Sequence, residues 1–258
     1  MGRMIDWKKK LRIFLEDFEH IDDVIGILVC GSYVTGSPTS HSDLDVHLLL
    51  EDNADFRERG NRVVDGLLIE YFSNPPRQIL KYFEEDMKSK DLMCQTQFAT
   101  GQILMDEMGE VSKLKTKALD MIDNFYAADN GGVMPHSAKY FLWDMLDDLQ
   151  DAFENNRADF DFLYFNFLNN MISSYMWYAH RPYNFKTILG NVVSGEVRRK
   201  YLLKEMPDTH IGALIAGCIK AVDREEKMDM YQRLAHEILS KHGGFDVGKF
   251  KLKSDLQI

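Results

Sequence analysis

Apolar positions along the chain change their period before its midpoint. Over residues 4–20, Ile5, Leu11, Ile13, Phe14 and Phe18 are spaced for one face of a helix. The run VIGILVCG (24–31) predicts a buried strand ending in glycine, and LDVHLLLED (44–52) predicts a second. RVV and LLIEYFS, joined through Asp65 and Gly66, predict a hairpin, because Asp-Gly between apolar runs favours a tight turn. PPRQILKYFEEDMKSK starts on proline, which suits a first helical turn. One more short strand is expected at 103–105. From residue 111 onward the period is helical, broken at 130–135 and punctuated at Arg181-Pro182 and Met206-Pro207. The pattern predicts an α+β protein: a mixed sheet with flanking helices over residues 1–110, then an all-α helical bundle over 111–258.

Composition narrows the partners. The 258 residues carry 31 Lys and Arg against 41 Asp and Glu, a net charge of -10. The densest basic run is WKKKLR near the start, so the balance argues mildly against a polynucleotide partner. Cys30, Cys94 and Cys218 are far apart and have no metal-ligand spacing, which predicts buried thiols in a reducing compartment. Neither a signal-peptide core nor a membrane-length apolar run is evident, so a cytoplasmic protein with no membrane partner is expected.

The candidate chemistry lies in LVCGSYVTGSPTSHSDLDVHLLLED, residues 28–52. Asp43 and Asp45 are two apart at a strand start, so both carboxylates project to one face, with Leu44 opposite. Two carboxylates held close repel unless a cation compensates, and Mg²⁺ takes one or two carboxylates together with substrate phosphates. Just upstream, Gly31 lets the backbone approach a ligand, and Ser32 offers a hydroxyl and an amide. A helix opening near Tyr33 would point free N–H groups at an anion. Glu70 is an acid inside the apolar strand LLIEYF, and beside the other two it would complete a metal-binding set. His47 shares the face of Asp45 by strand alternation, with a core or edge histidine as its expected role.

A Gly-Ser, about ten residues, Asp-x-Asp on a strand and a third carboxylate on a later strand together resemble the nucleotidyltransferase superfamily of DNA polymerase β. Gly31, Ser32, Asp43, Asp45 and Glu70 stand in the matching places, and Ser42 before Asp43 is also typical. The resemblance covers residues 22–108. ATGQILMDEMGEV and a helical second half resemble the small-molecule branch, which contains the aminoglycoside and lincosamide nucleotidyltransferases of antibiotic resistance. In that branch a lysine after a proline meets the nucleotide phosphates, which selects Lys186 in RPYNFKTIL. Family members also place a base in the helical domain. Asp144 is the first acid of the stripe Asp144, Asp147, Asp148 and Asp151, and is the residue to test, although a solvated face explains most of such a stripe.

The resemblance implies a Mg²⁺-dependent enzyme that transfers a nucleoside monophosphate, with ATP the commonest donor, to a hydroxyl of a small molecule such as an aminoglycoside-like cation, releasing pyrophosphate. In that scheme Asp43, Asp45 and Glu70 are catalytic metal ligands. Gly31, Ser32, Ser42 and Lys186 hold the nucleotide, and Asp144 serves the acceptor. Some relatives build their cleft across a homodimer. Two alternatives keep the same domain: nucleotidylation of a protein or an RNA end, and a non-catalytic nucleotide-binding or toxin–antitoxin regulator. The intact acids argue against the last.

Overall fold

The computed structural model describes residues 6–128 and 131–253. The chain forms two compact units, one ending at Ala128 and the other following it.

In the first unit, helix α1 (Trp7–Glu16) is capped by the Asp6 carboxylate, which accepts from the Lys9 amide. Residues 1–5, where the expected helix begins, lie outside the described residues. Strand β1 (Val24–Cys30) is buried throughout and runs into a four-residue helix, α2 (Ser32–Thr35). Strand β2 (Leu44–Leu50) follows, then β3 (Glu58–Val64) and β4 (Leu67–Asn74). Asp65 and Gly66 turn the hairpin with φ of 47° and 79°, as the dipeptide predicts. Helices α3 (Pro76–Ser89) and α4 (Met93–Thr100), strand β5 (Gln102–Asp106) and helix α5 (Glu110–Ala127) complete the unit. Helix α4 is absent from the sequence reading, because MCQTQFAT has no clear apolar face.

The five strands are ordered β3-β4-β2-β1-β5. All neighbours are antiparallel except β2 and β4, which run parallel because the β3–β4 hairpin returns from the edge to lie beside β2. Leu11 and Phe14 of α1 pack with Ile27, Val29, Val46, Leu48 and Ile69 in one core. The opposite parity (Leu28, Asp45, His47, Glu70, Phe72) looks toward α3, α4 and α5, where Phe83 and Phe98 meet edge to face at 5.5 Å.

The expected division after residue 110 is displaced. Helix α5 belongs to the sheet unit: an added Cβ on Gly26 of β1 would lie 2.3 Å from Val111, and Lys115 donates to the carbonyls of Ala99 and Gly101 at 2.9 and 2.7 Å. Helical period alone does not say which neighbour a helix buries against.

The second unit is helical, as expected: α6 (His136–Glu154), α7 (Phe160–Tyr178), α8 (Ile188–Val193), α9 (Gly195–Lys200), α10 (Thr209–Lys220) and α11 (Arg224–Lys241). Its core joins Leu142 and Leu149 of α6, Tyr164 and Met171 of α7, Ile215 of α10, and Tyr231 and Ile238 of α11. The buried Tyr164 hydroxyl donates to the Cys218 carbonyl at 2.7 Å. Among the described residues no helix is long and apolar enough to cross a membrane.

Candidate active site

Three elements bring the acids together. Asp43 precedes β2 and Asp45 is its second residue, so the short extended lead-in keeps both carboxylates on one face. The parallel pairing puts Glu70 of β4 directly beside Asp45 in register, and Cys30 of β1 is opposite Asp45 on its other side. The ligand oxygens of Asp43, Asp45 and Glu70 lie within 4.8 Å of one another, and all three residues are half-buried.

That proximity is costly, and the protein shows it. Burial first, then the charges of Asp43 and Glu70, push the Asp45 carboxyl from its ordinary value of 3.8 up to about 7. Burial and the Asp45 charge also raise the Cys30 thiol far above its usual range, so it stays protonated. Arg59 of β3 offsets part of the repulsion. Its Nε and Nη2 donate to one Glu70 oxygen at 3.1 and 2.5 Å. Arg59 has no place in the sequence reading, yet the two-residue turn at Asp65-Gly66 fixes the hairpin register. Counting back from it sets Asn61 opposite Glu70 and Arg59 on the diagonal.

Gly31 has a specific reason to be glycine. Its φ of 75° and ψ of −158° fall in a region essentially reserved for glycine. A Cβ there would sit 2.1 Å from Asp45 Oδ2. The space that glycine leaves is therefore filled by a site carboxylate. Ser32 opens α2, and the chain from Gly31 is tied back by the Thr35 hydroxyl, which donates to the Gly31 carbonyl at 3.0 Å. The Ser42 hydroxyl accepts from the Thr39 amide at 2.9 Å and so braces the loop that delivers Asp43.

His47 is a core histidine. Nε2 lies 3.3 Å from Gln97 Oε1, the ring stacks on Phe72 with centroids 5.2 Å apart, and burial lowers its pKa to about 4, so it is neutral. The two remaining expected residues lie in the helical unit. Asp144, half-buried on α6, is hydrogen-bonded to Tyr140, whose phenol it holds above its usual range. Asp151 of the same stripe is engaged by Arg157 at 3.3 Å. Lys186 is exposed just before α8, with its amide on Asn184 Oδ1 at 2.9 Å. A cavity of about 620 Å³ in this unit has Trp143, Asp147 and His236 on its wall.

Three carboxylates presenting hard oxygen donors fit a divalent cation such as Mg²⁺, whose charge would offset the repulsion among them.

Residues 10–99 match the family model of the nucleotidyltransferase domain. The nucleotidyltransferase match spans β1 to β4 and α2, and with them Gly31, Ser32, Asp43, Asp45 and Glu70. It supports the nucleotidyltransferase superfamily and, in general terms, a nucleotidyl-transfer activity. No curated protein matches the chain. A solved structure of a nucleotidyltransferase-like protein from Exiguobacterium sibiricum 255-15 is similar over 91% of this chain and 75% of that one, with 9% identity and a TM-score of 0.43.

Proposed function

We propose that the protein transfers a nucleoside monophosphate, AMP from ATP, to a hydroxyl of a small molecule. The observation that supports this best is the register pairing of Asp45 with Glu70 beside Gly31, inside the segment that matches the nucleotidyltransferase domain. Asp43, Asp45 and Glu70 would hold Mg²⁺, which when bound supplies neutralising charge to the triphosphate. The Gly31–Ser32 backbone and the Ser32 hydroxyl bind the β- and γ-phosphates. The acceptor oxygen forms its bond to the α-phosphorus as the bond to pyrophosphate breaks, and the hydroxyl proton passes to Glu70. Ser42 keeps Asp43 in place through its bond to Thr39.

Incubation with α-labelled ATP, Mg²⁺ and a panel of hydroxylated small molecules tests the proposal. A labelled acceptor and matching pyrophosphate release are expected with the wild type, and neither with Asp43→Asn. Nucleotide binding without turnover on any acceptor, protein or RNA included, would favour the non-catalytic regulator.

Ser32→Ala should weaken triphosphate binding by about tenfold or more, since a hydrogen bond to a charged group is worth about 1.5–3 kcal/mol. Unchanged nucleotide affinity by calorimetry removes Ser32 from the phosphate site. Lys186 and Asp144 are proposed on the family resemblance alone, Lys186 for the phosphates and Asp144 for the acceptor. Asp144→Asn is expected to lower transfer while nucleotide affinity stays constant. Unchanged transfer would leave Asp144 with its Tyr140 hydrogen bond and no further role.

A further inference from the structure

Beyond the three carboxylates, the first unit contains a cleft of about 580 Å³. Its floor is His47 of β2 with Phe72 and Asn74 of β4, the same-face positions that follow Asp45 and Glu70 along the strands. It therefore begins about 7 Å, one same-face step, from the carboxylates. Helices α3 and α4 form one wall, through Tyr82, Asp86 and Met93. Arg57 and Arg59 form the other. The volume is that of an ordinary small-molecule site.

Strand order decides which substrate lies on this side. Gly31 and Ser32 follow β1 on one flank of β2, and the cleft lies along β4 and β3 on the other. In phosphoryl-type transfer the attacking and leaving oxygens are roughly in line through phosphorus. With pyrophosphate leaving on the β1 flank, the acceptor hydroxyl must approach from the β4 flank.

The lining chemistry indicates the class of acceptor. In a chain of net charge -10, two guanidiniums stand at this mouth. Arg59 reaches Glu70, and Arg57 donates to the Tyr82 hydroxyl. Glu58 also lines the cleft, and its carboxylate accepts from the Tyr71 hydroxyl. The second acid of the lining, Asp86, accepts from the Cys94 amide at 2.8 Å, and burial raises its carboxyl to about 6. At the floor, buried His47 has Nδ1 without a hydrogen-bond partner. In the tautomer that donates from Nε2 to Gln97, that nitrogen is an open acceptor. Such an unpaired buried atom is costly unless a ligand donor reaches it.

We propose that this cleft is the acceptor subsite and that it takes a small hydroxylated molecule bearing a carboxylate or a similar anionic group, held by Arg57 and Arg59 over Phe72 and Met93. The inference rests on the nucleotidyl-transfer reading for its orientation. It reverses the charge that the aminoglycoside-like resemblance implies for the acceptor.

Three probes of one shape test it on the full chain: 4-hydroxybenzoate, 4-hydroxybenzamide and 4-hydroxybenzylamine, titrated by calorimetry with and without Mg²⁺ and a non-hydrolysable ATP analogue. The carboxylate should bind about tenfold tighter than the amide, and the amine weakest. Arg57→Gln should remove most of that preference, and Met93→Trp, at an exposed wall position, should block all three probes. Carboxylate binding should survive saturation with the nucleotide analogue. Preference for the amine, no binding of any probe, or wild-type affinity in both variants would overturn the assignment, as would displacement by the nucleotide, which would make the cleft a nucleoside site. The nucleotide titration is read separately. If the analogue fails to bind while the carboxylate binds through Arg57, the transfer reading falls and the anion site stands.

Discussion

Asp45→Asn should make the protein more stable above neutral pH while removing its response to Mg²⁺ and its transfer activity. The Asp45 carboxyl has a folded-state pKa of about 7 against an ordinary value of 3.8. A raised acid pKa means that the folded state holds the proton more tightly than the unfolded chain does. The wild type therefore loses stability through this group as pH rises from about 4 to about 7, and above 7 the full penalty remains, of the order of a few kcal/mol. Asparagine has no proton to lose. The melting temperature of the variant should pull ahead of the wild type as pH rises from about 4 to about 7, and the two should converge in acid. Mg²⁺ favours the ionised carboxylate, so it should raise the wild-type melting temperature and leave the variant unmoved. Below pH 7 its affinity for the wild type should fall about tenfold per pH unit, because one proton must leave. Transfer should drop by more than about 100-fold. A variant that kept wild-type turnover with Mg²⁺ would sink the metal-site assignment, and a pH-independent difference in melting temperature would sink the electrostatic account of Asp45.

Gly31→Ala should damage both the fold and the site through one methyl group. At φ 75° and ψ −158° an alanine is strained before any contact is considered, by about 1–3 kcal/mol. Its Cβ would also have to occupy a point 2.1 Å from Asp45 Oδ2. Either β1 and α2 part from β2, or the Asp45 carboxylate turns away from Asp43 and Glu70. The expected loss is about 3 kcal/mol or more, with Mg²⁺ binding lost together with stability. The double variant Gly31→Ala with Asp45→Ala removes the obstructing carboxylate. It should recover the steric part of the loss and keep the backbone strain. If the double variant were no more stable than Gly31→Ala, the contact with Asp45 would not be the cause.

The charge around Glu70 sets how these effects combine. Arg59 is tied to Glu70 and also lines the cleft, so its substitution would disturb the carboxylates and the proposed acceptor site together. Arg57 reaches Tyr82 and leaves Glu70 alone, which makes it the cleaner variant for the cleft.

The amino-acid sequence by itself determined what depends on near neighbours in the chain. Alternation along LDVHLLL put Asp45 and His47 on one face, and apolar runs of strand length marked β1 and β2. Asp65-Gly66 set the hairpin, and with it the register from which Arg59 could have been found. The spacing from Gly31 to Asp45, read with the family pattern, selected the candidate site. Only the tertiary structure decided the rest. That Glu70 stands beside Asp45 depends on a parallel pairing between strands separated by a hairpin, and a slip of one residue would have turned Glu70 to the other face. That Gly31 yields its space to Asp45 Oδ2 depends on how β1 meets β2. The place of α5 against the sheet, the existence of α4 and the cleft that α3 and α4 help to enclose follow from which apolar faces meet across long stretches of chain. Local periodicity fixes which side of an element is apolar, but its packing partner is chosen by the burial available once every other element is in place.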